Sequence, residues 1–447
     1  MPSSPLSVAV IGSGIAGLAA AWLLQQRHSV TLYEQDDRLG GHSNTVEVPD
    51  ADGNPLAVDT GFIVYNTVNY PNLVALFQHL GVATQASDMS FGVSLGDGAL
   101  EYSGADFAGL VAQPANLLRP RFWAMLRDLV RFYRRAPALL AAPGGDQLSL
   151  GQYLDAEGYS AAFLHDHLLP MGAAIWSTTI ADMRAYPAVR FVRFFESHGL
   201  LKLGARPEWR TVTGGSRAYV ARLAAPLAGH VRCACLVRAI RRQPDGVLVE
   251  EAGGRVTRYD HVVLATHADQ ALALLVDAGA DERRLLGSFP YARNLAVLHT
   301  DPRLMPQRRR AWASWNYIGS GGADDGALCV TYWMNRLQAL DPRRDFFLTL
   351  NPVRAPRDEM VLASFRYEHP GFDVGSSTAQ DQLWSLQGVR RTWFCGSYFG
   401  AGFHEDALQS ALAVAEELGE MRRPWTVANE SGHIVLPPRA AATEAAA

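Results

Sequence analysis

Apolar and polar positions at the head of the chain switch between two periods. Ser7 to Ile11, SVAVI, is a short β-branched run, and AGLAAAWLLQQR after it carries apolar residues at helical spacing among good helix formers. SVTLYE returns to a strand pattern, so the opening predicts strand, turn, helix, strand. VDTGFIVYN, Val58 to Asn66, predicts a strand running into a turn at Gly61. From about Tyr70 to Lys202 the pattern is helical and irregular, as in YPNLVALFQHLG, ANLLRPRFWAMLRDLVRFYRR and AAFLHDHLLPMGAAIWS. VTGGSRAYVARLAAPL predicts a helix after Gly214 and Gly215. VRCACLVRAIRRQPDGVLVEEAGGRVTRYDHVVLAT predicts three strands with turns at PDG and AGG. An aromatic-rich stretch follows, and TWFCGSYFGAGFHEDALQSALAVAEELG predicts a strand ending at Gly396, a loop and a long helix from near Glu405. RAAATEAAA at the C-terminus reads as a frayed tail.

Composition narrows the class. A chain of 447 residues, 48% hydrophobic and 19% charged, is long enough for two connected domains and has an ordinary globular balance. Its net charge of −4 gives no reason to expect nucleic acid as a partner. The four cysteines, Cys233, Cys235, Cys329 and Cys395, lack metal-ligand spacing, so no metal is expected. Cys233 and Cys235 would point the same way from one strand, and free, mostly buried thiols in a reducing cytoplasm are the default. No stretch has the length of a membrane span or the form of a signal peptide, which predicts a cytoplasmic protein.

The chemistry starts at Gly12, Gly14 and Gly17, a G-x-G-x-x-G lying between the first strand and the helix. There Gly12 permits the tight turn, Gly14 lets the backbone approach a pyrophosphate, and Gly17 lets the helix lie close on the strand, its N-terminus facing the phosphates. Ser13, Ile15 and Ala16 complete that turn. Glu34 ends the second strand, where a carboxylate can take hydrogen bonds from an adenosine ribose, with Gln35 beside it. Arg38, Gly40, Gly41 and His42 follow in EQDDRLGGHSNT, and a second glycine pair this close is not needed for NAD. It points to a longer ligand, a NAD-type unit with an ordinary loop being the alternative.

E-x-x-x-R-x-G-G-x-x-x-T resembles the N-terminal signature of the flavin-dependent amine oxidase, protoporphyrinogen oxidase and carotenoid desaturase superfamily. The resemblance implies an α/β chain: a Rossmann-like FAD-binding domain of the GR2, amine-oxidase-like type with an inserted mixed α+β substrate domain. The FAD-binding segments would be 1–69, 206–270 and 388–425, the substrate segments 70–205 and 271–387, and the tail 426–447. FAD would be held non-covalently. Arg38 and the second glycine pair would lie along its pyrophosphate, Gly61, Phe62 and Tyr65 near its ring, Val237 at the adenine, and Thr266 at the end of HVVLAT. Gly396, Ser397, Phe403 and His404 would meet the flavin at the start of the last helix. Ser397 stands where the superfamily usually has an acid, and His404 where it usually has an apolar residue.

Many amine oxidases of this kind hold a water near flavin N5 with a lysine on a strand matched here by YARNLAVLHTD, Tyr291 to Asp301, which has Arg293 and Asn294 but no lysine. Lys202 is the single lysine of the chain; it and His404 are the catalytic candidates, flavin N5 being the main reactive centre. Trp176, Trp312, Trp315, Tyr317, Tyr332 and Trp333 suit an apolar pocket or a core. Arg127, Arg131 and Arg134 share a helical face with apolar neighbours, so the segment reads either as a peripheral contact with an anionic membrane or as a solvated face. GGHSNTV, DTGFIVYN, HGLL, WASWNY and GFHEDAL resemble a bacterial subgroup of NAD/FAD-binding oxidoreductases linked with fatty-acyl methyltransferases of the cyclopropane synthase type. That implies an FAD-dependent dehydrogenase or desaturase passing hydride from a lipid-like substrate to flavin N5, reoxidised by oxygen or a quinone. The alternatives are a peroxide-producing amine oxidase and a non-redox isomerase or mutase. The oligomeric state stays open.

Overall fold

The computed structural model describes residues 4–202, 204, 207–320 and 328–437, and the expected tail Arg439–Ala447 lies outside them. The chain divides into two compact units, one of residues 1–39, 226–288 and 376–447, the other of 40–225 and 289–375.

In the first unit five parallel strands are ordered Val231–Arg232, Ser29–Tyr33, Ser7–Ile11, His261–Leu264 and Thr392–Phe394. Val10 pairs with Leu32 on one side and Val263 on the other. Val8, Ala9 and Val10, and Val262, Val263 and Leu264, are all buried, so both faces of these strands are covered, which is why SVAVI and HVVL read as nearly continuous apolar runs. The helix Ile15–Leu24 is buried along its whole length and packs against His404–Gly419. Asp260 ties the start of the central strand to its neighbour, accepting from both the backbone N–H and the hydroxyl of Ser7 at 2.8 Å. The stretch expected to hold three strands holds five, divided between this sheet and an antiparallel sheet of Val237–Gln243, Gly246–Glu251 and Val256–Tyr259. The extra break falls at Ala234, whose φ of 50° ends the strand. Cys233 and Cys235 therefore flank a turn, the first exposed and the second partly so; only Cys329 and Cys395 are buried. Residues 426–437 fold back on the C-terminal helix, with the His433 N–H donating to Gln409 at 2.9 Å.

In the second unit seven strands run Val361–Pro370, Tyr291–His299, Phe347–Leu350, Val330–Trp333, Trp315–Gly319, Phe91–Leu95, Leu100–Ser103, antiparallel except where Phe91–Leu95 meets Trp315–Gly319. A hairpin, Thr45–Pro49 with Pro55–Asp59, and a three-stranded ribbon accompany it. Residues 40–69 and 206–225, expected with the nucleotide-binding segments, pack with this unit. The aromatic residues are core: Trp312 packs with Phe347 and Met305 under Trp333, and Trp176 packs on Tyr186 and Phe194 at 4.6 and 4.8 Å between ring centres. On the helix Pro120–Arg135, Arg131 is turned into the protein. Its guanidinium lies 4.2 Å over the Tyr159 ring and bonds the Glu157 and Gly158 carbonyls. Of the three arginines expected on one face, Arg127 and Arg134 stay exposed, Arg127 beside Asp128 at 3.3 Å.

Candidate functional site

In the first unit the glycines of the opening turn do different things. Gly12 has φ +95° and donates its N–H to the Tyr33 carbonyl at 2.9 Å. An ideal Cβ on it would sit 2.8 Å from the Ala265 carbonyl oxygen. A Cβ on Gly17 would stand 1.8 Å from the Gly12 carbonyl oxygen, so the helix approaches the turn more closely than any side chain allows. Gly14 is the opposite case, with an ordinary φ of −61° and nothing within 4 Å of its would-be Cβ. The open space lies at the helix N-terminus, where backbone N–H groups lack partners along the helix. Ile15 and Ala16 are buried behind it.

Glu34 is buried and holds this turn. Its Oε2 accepts from the Ser13 N–H at 3.0 Å and the Ser13 hydroxyl at 2.6 Å; its Oε1 accepts from the Asp36 N–H at 2.9 Å. Gln35 is exposed. Arg38 is partly buried, and its Nη1 is buried with no hydrogen-bond partner among the described residues.

The other chain segments of this unit end nearby in sequence logic. Thr266 lies beyond the strand end at Leu264, its methyl 3.3 Å from the Gly12 Cβ position, and Val237 is buried at the start of its strand. The Gly396 N–H donates to the Ser410 hydroxyl at 3.0 Å, which fixes the strand end to the C-terminal helix, while the Ser397 carbonyl accepts from Gly400 and Gly402. The helix starts at His404 with Phe403 as its cap. Asp406 accepts from the Phe403 N–H at 2.7 Å and from His433 Nδ1 at 2.8 Å. Burial pushes the His404 imidazole down to about 3, so it is neutral at physiological pH. Burial also pushes the Cys395 thiol up, keeping it protonated.

In the second unit Gly40, at φ +113°, would place a Cβ 2.6 Å from the Ser43 carbonyl oxygen, and Gly41 has φ +55°. The His42 carbonyl accepts from the Phe62 N–H at 2.8 Å, and a Cβ on Gly61 would come within 2.1 Å of it. GGHSNT and DTGF are thus pressed together. Phe62 packs edge-on against Tyr219, and Tyr65 is buried against Phe77 at 5.4 Å.

Asp59, not singled out from the sequence, fastens this region. It accepts from the Thr45 hydroxyl at 2.6 Å, the Ser216 N–H and hydroxyl at 2.9 and 2.8 Å, and Gln338 Nε2 at 3.0 Å. Burial raises its carboxyl to about 6 against these bonds.

A polar group beside His42 was also not foreseen. The His42 ring lies 5.2 Å from both Tyr367 and His369. The Tyr367 hydroxyl takes a bond from Asn44 Nδ2 at 2.9 Å and shares one with Thr60 at 2.8 Å. Asn294, buried on the strand matched to the lysine-bearing strand of many amine oxidases, accepts from Asn351 Nδ2 at 2.6 Å. Its own amide then points at the Ser177 carbonyl, 3.1 Å, and at His369 Nδ1, 3.0 Å. That bond leaves the His369 proton on Nε2. The missed signal is Y-x-H in RYEHP, two residues on one face of a strand. Arg293 pairs outside with Glu368 at 3.0 Å, and Lys202 is exposed in the turn after the helix Ala188–Ser197. Among the described residues no group of three or more His, Cys, Asp or Glu could hold a metal ion.

The profile of the flavin-containing amine oxidoreductase family matches residues 15–419. The chain belongs to this family. FAD, held non-covalently, is its cofactor, and oxidoreductase is its class. Carotenoid phi-ring synthase of Streptomyces griseus is 30% identical over 324 residues, 68% of this chain and 59% of that protein, so the chain spans less than two thirds of that relative. Among solved structures, a CLA-producing fatty acid isomerase from P. acnes superposes with a TM-score of 0.66 at 17% identity, covering 94% of this chain and 99% of the other. Cyclohexylamine oxidase from Brevibacterium oxydans gives 0.65 at 17% identity, covering 93% and 99%. At such identities these likenesses define the fold, a Rossmann-like FAD domain with an inserted substrate domain. The first unit fits the cofactor on its own evidence: space at Gly14 that a side chain would fill, a helix N-terminus facing it, and a buried guanidinium nitrogen with an unused donor.

Proposed function

We propose that the chain oxidises a hydrophobic, lipid-like substrate, a fatty-acyl chain being the favoured class, and that a dehydrogenation or desaturation is the reaction. When bound, FAD supplies the acceptor for the hydride that leaves the substrate C–H bond. The protein's own residues do the rest. In the first unit Gly12 to Gly17 shape the turn against the pyrophosphate, with Arg38 as a further donor, and Glu34 orders the turn through Ser13 and has acceptor capacity left for the ribose; in the second unit Gly40, Gly41 and His42 are the residues that the family signature assigns to the pyrophosphate. Val237 and Thr266 line the nucleotide side. Gly396, Ser397, Phe403 and His404 present the positive end of the last helix, where a neutral His404 adds no competing charge. Gly61, Phe62 and Tyr65, in the second unit, are the residues that the same family likeness assigns to the flavin ring.

The observation that carries the substrate class is Asn294. The strand that gives many amine oxidases their lysine here carries a neutral, fully bonded amide beside a neutral-tautomer His369, and its arginine is spent on Glu368 at the surface. A carotenoid enzyme among the relatives and a fatty acid isomerase among the fold neighbours support the apolar reading. The isomerase also favours the second reading, a redox-neutral rearrangement of the same substrate class. Anaerobic mixing of the yellow holoprotein with membrane lipid extract tests both. Loss of the visible flavin band with lipid and not with amines is the expected result. Loss with primary amines alone overturns the proposal in favour of amine oxidation; lipid turnover with the band unchanged selects the isomerase.

A further inference from the structure

The turn Pro114–Leu118 and the helix Pro120–Arg135 leave large apolar side chains in water: Leu117 is 41% exposed, Leu118 86% and Trp123 53%. The Trp123 indole N–H is spent on the Leu117 carbonyl at 2.8 Å, so what the ring offers to solvent is apolar. At about 100° per residue Trp123, Arg127 and Arg134 fall within one narrow face of the helix, opposite Met125 and Phe132, which are buried. Residues 114–135 hold six arginines and one acid, Asp128, in a chain of net charge −4. Asp128 is buried and accepts from the Ser160 N–H; Arg127 touches it through Nε at 3.3 Å yet keeps 71% of its side chain exposed, its terminal nitrogens open to solvent-side ligands. Beside this tip a cavity of about 270 Å³ is lined by Arg119, Arg121, Phe122 and Asp166. Arg121 is fixed there by two bonds to Asp166, at 2.7 and 2.8 Å.

We propose that this surface docks the protein on an anionic bilayer. Leu118 and Trp123 enter the headgroup layer, while Arg127 and Arg134 meet lipid phosphates from the same side. Indole with its N–H already bonded is suited to that depth, and arginines flanking it supply the attraction that an apolar tip alone lacks. No helix among the described residues is long and apolar enough to cross a membrane, so the contact would be peripheral. It differs from the sequence expectation in its residues, since Arg131 faces inward and Trp123 takes its place. Vesicle binding is read without turnover, so it stands or falls apart from the substrate proposal.

The test is cosedimentation of holoprotein with vesicles of phosphatidylglycerol and phosphatidylcholine, and with phosphatidylcholine alone. Wild type should bind the anionic vesicles, lose binding as salt rises, and bind the neutral ones weakly. Leu118→Ser with Trp123→Ser should weaken binding roughly tenfold or more, and Arg127→Gln with Arg134→Gln should abolish the preference for anionic lipid, both with flavin content and circular dichroism unchanged. The arginine pair lies on the surface and keeps the test alive if the apolar pair impairs folding. Failure of wild type to sediment with anionic vesicles, equal binding to both vesicle types, or wild-type binding by either variant overturns the proposal; the first of these would point to a protein partner for the patch.

Discussion

Gly14 and Gly17 stand three residues apart in one motif, and the geometry assigns them opposite failures. A methyl group on Gly17 would be placed 1.8 Å from the Gly12 carbonyl oxygen and 2.9 Å from its carbon. Relief requires the helix or the turn to move by roughly 1.7 Å, to a contact of about 3.5 Å with that oxygen. Neither is free to do so: every residue of the helix is buried, and Gly12 is bonded to Tyr33. Gly17→Ala should therefore cost about 3 kcal/mol, the upper end of overpacking in a rigid core. Gly14→Ala meets no atom within 4 Å at a φ that alanine adopts without strain, so the apoprotein should keep its stability to within about 0.5 kcal/mol.

Only the ligand distinguishes the open space from empty solvent. If pyrophosphate lies there, Gly14→Ala should lower FAD affinity at least about tenfold and Gly14→Val more, because a side chain takes the space of the phosphate oxygens and blocks the helix N-terminus. Thermal melts of the apoproteins and titration with FAD, followed by quenching of flavin fluorescence, separate the two effects. Wild-type FAD affinity in Gly14→Val would refute the placement of the pyrophosphate, and a wild-type melt of Gly17→Ala would refute the steric account of the turn.

Two further outcomes follow from buried acids. Glu34→Ala removes three hydrogen bonds to a buried carboxylate and strands two Ser13 donors, so it should destabilise the apoprotein by about 2 kcal/mol as well as weaken FAD; a loss of FAD with an unchanged apo melt would mean that Glu34 serves the ligand alone. For His433, burial pulls the imidazole down, but the bond to Asp406 and the charges of Asp406 and Glu405 outweigh it, and the net shift is upward from 6.5. A raised folded value stabilises fully below pH 6.5 and fades as pH rises through it. The melting advantage of wild type over His433→Gln should accordingly be largest in mild acid and vanish in alkali, whereas a pH-independent difference would contradict the ion pair.

What the sequence could tell divides by the range of the interactions. The opening strand, glycine turn, helix and ribose acid are set by local φ/ψ demands and by period, and SVAVI, the three glycines and Glu34 carry all of them within a short span. The last helix is equally local, with its cap at Phe403 and its buried stripe from Glu405 onward. Side-chain placement across long separations was not legible. Nothing in VRCAC announces that Ala234 turns left-handed, so two cysteines that alternate like strand residues end up flanking a turn. Arg131 looks like Arg127 on a helical wheel, and it is Tyr159, Asp128 and the carbonyls of residues 157 and 158 that draw it inward. Asp59 reads as one polar residue in a strand, yet it gathers Thr45, Ser216 and Gln338 from distant parts of the chain.

The same division by range holds on the strand Tyr291–His299. Absence of lysine from Tyr291–Asp301 says what is missing; it does not say what fills the place. The structure fills it with an amide whose orientation is dictated from outside, since Asn351 claims its oxygen and thereby aims its nitrogen at His369. A buried amide of fixed orientation and a histidine of fixed tautomer carry no net charge, and Tyr367 is tied to Asn44 and Thr60. Under the proposed function, an ammonium substrate would find no carboxylate among Asn294, Tyr367 and His369, while an apolar chain would lie beside an amide whose oxygen and nitrogen are both bonded. Under the same proposal, specificity in such a site rests on shape and on the fixed orientation of that amide.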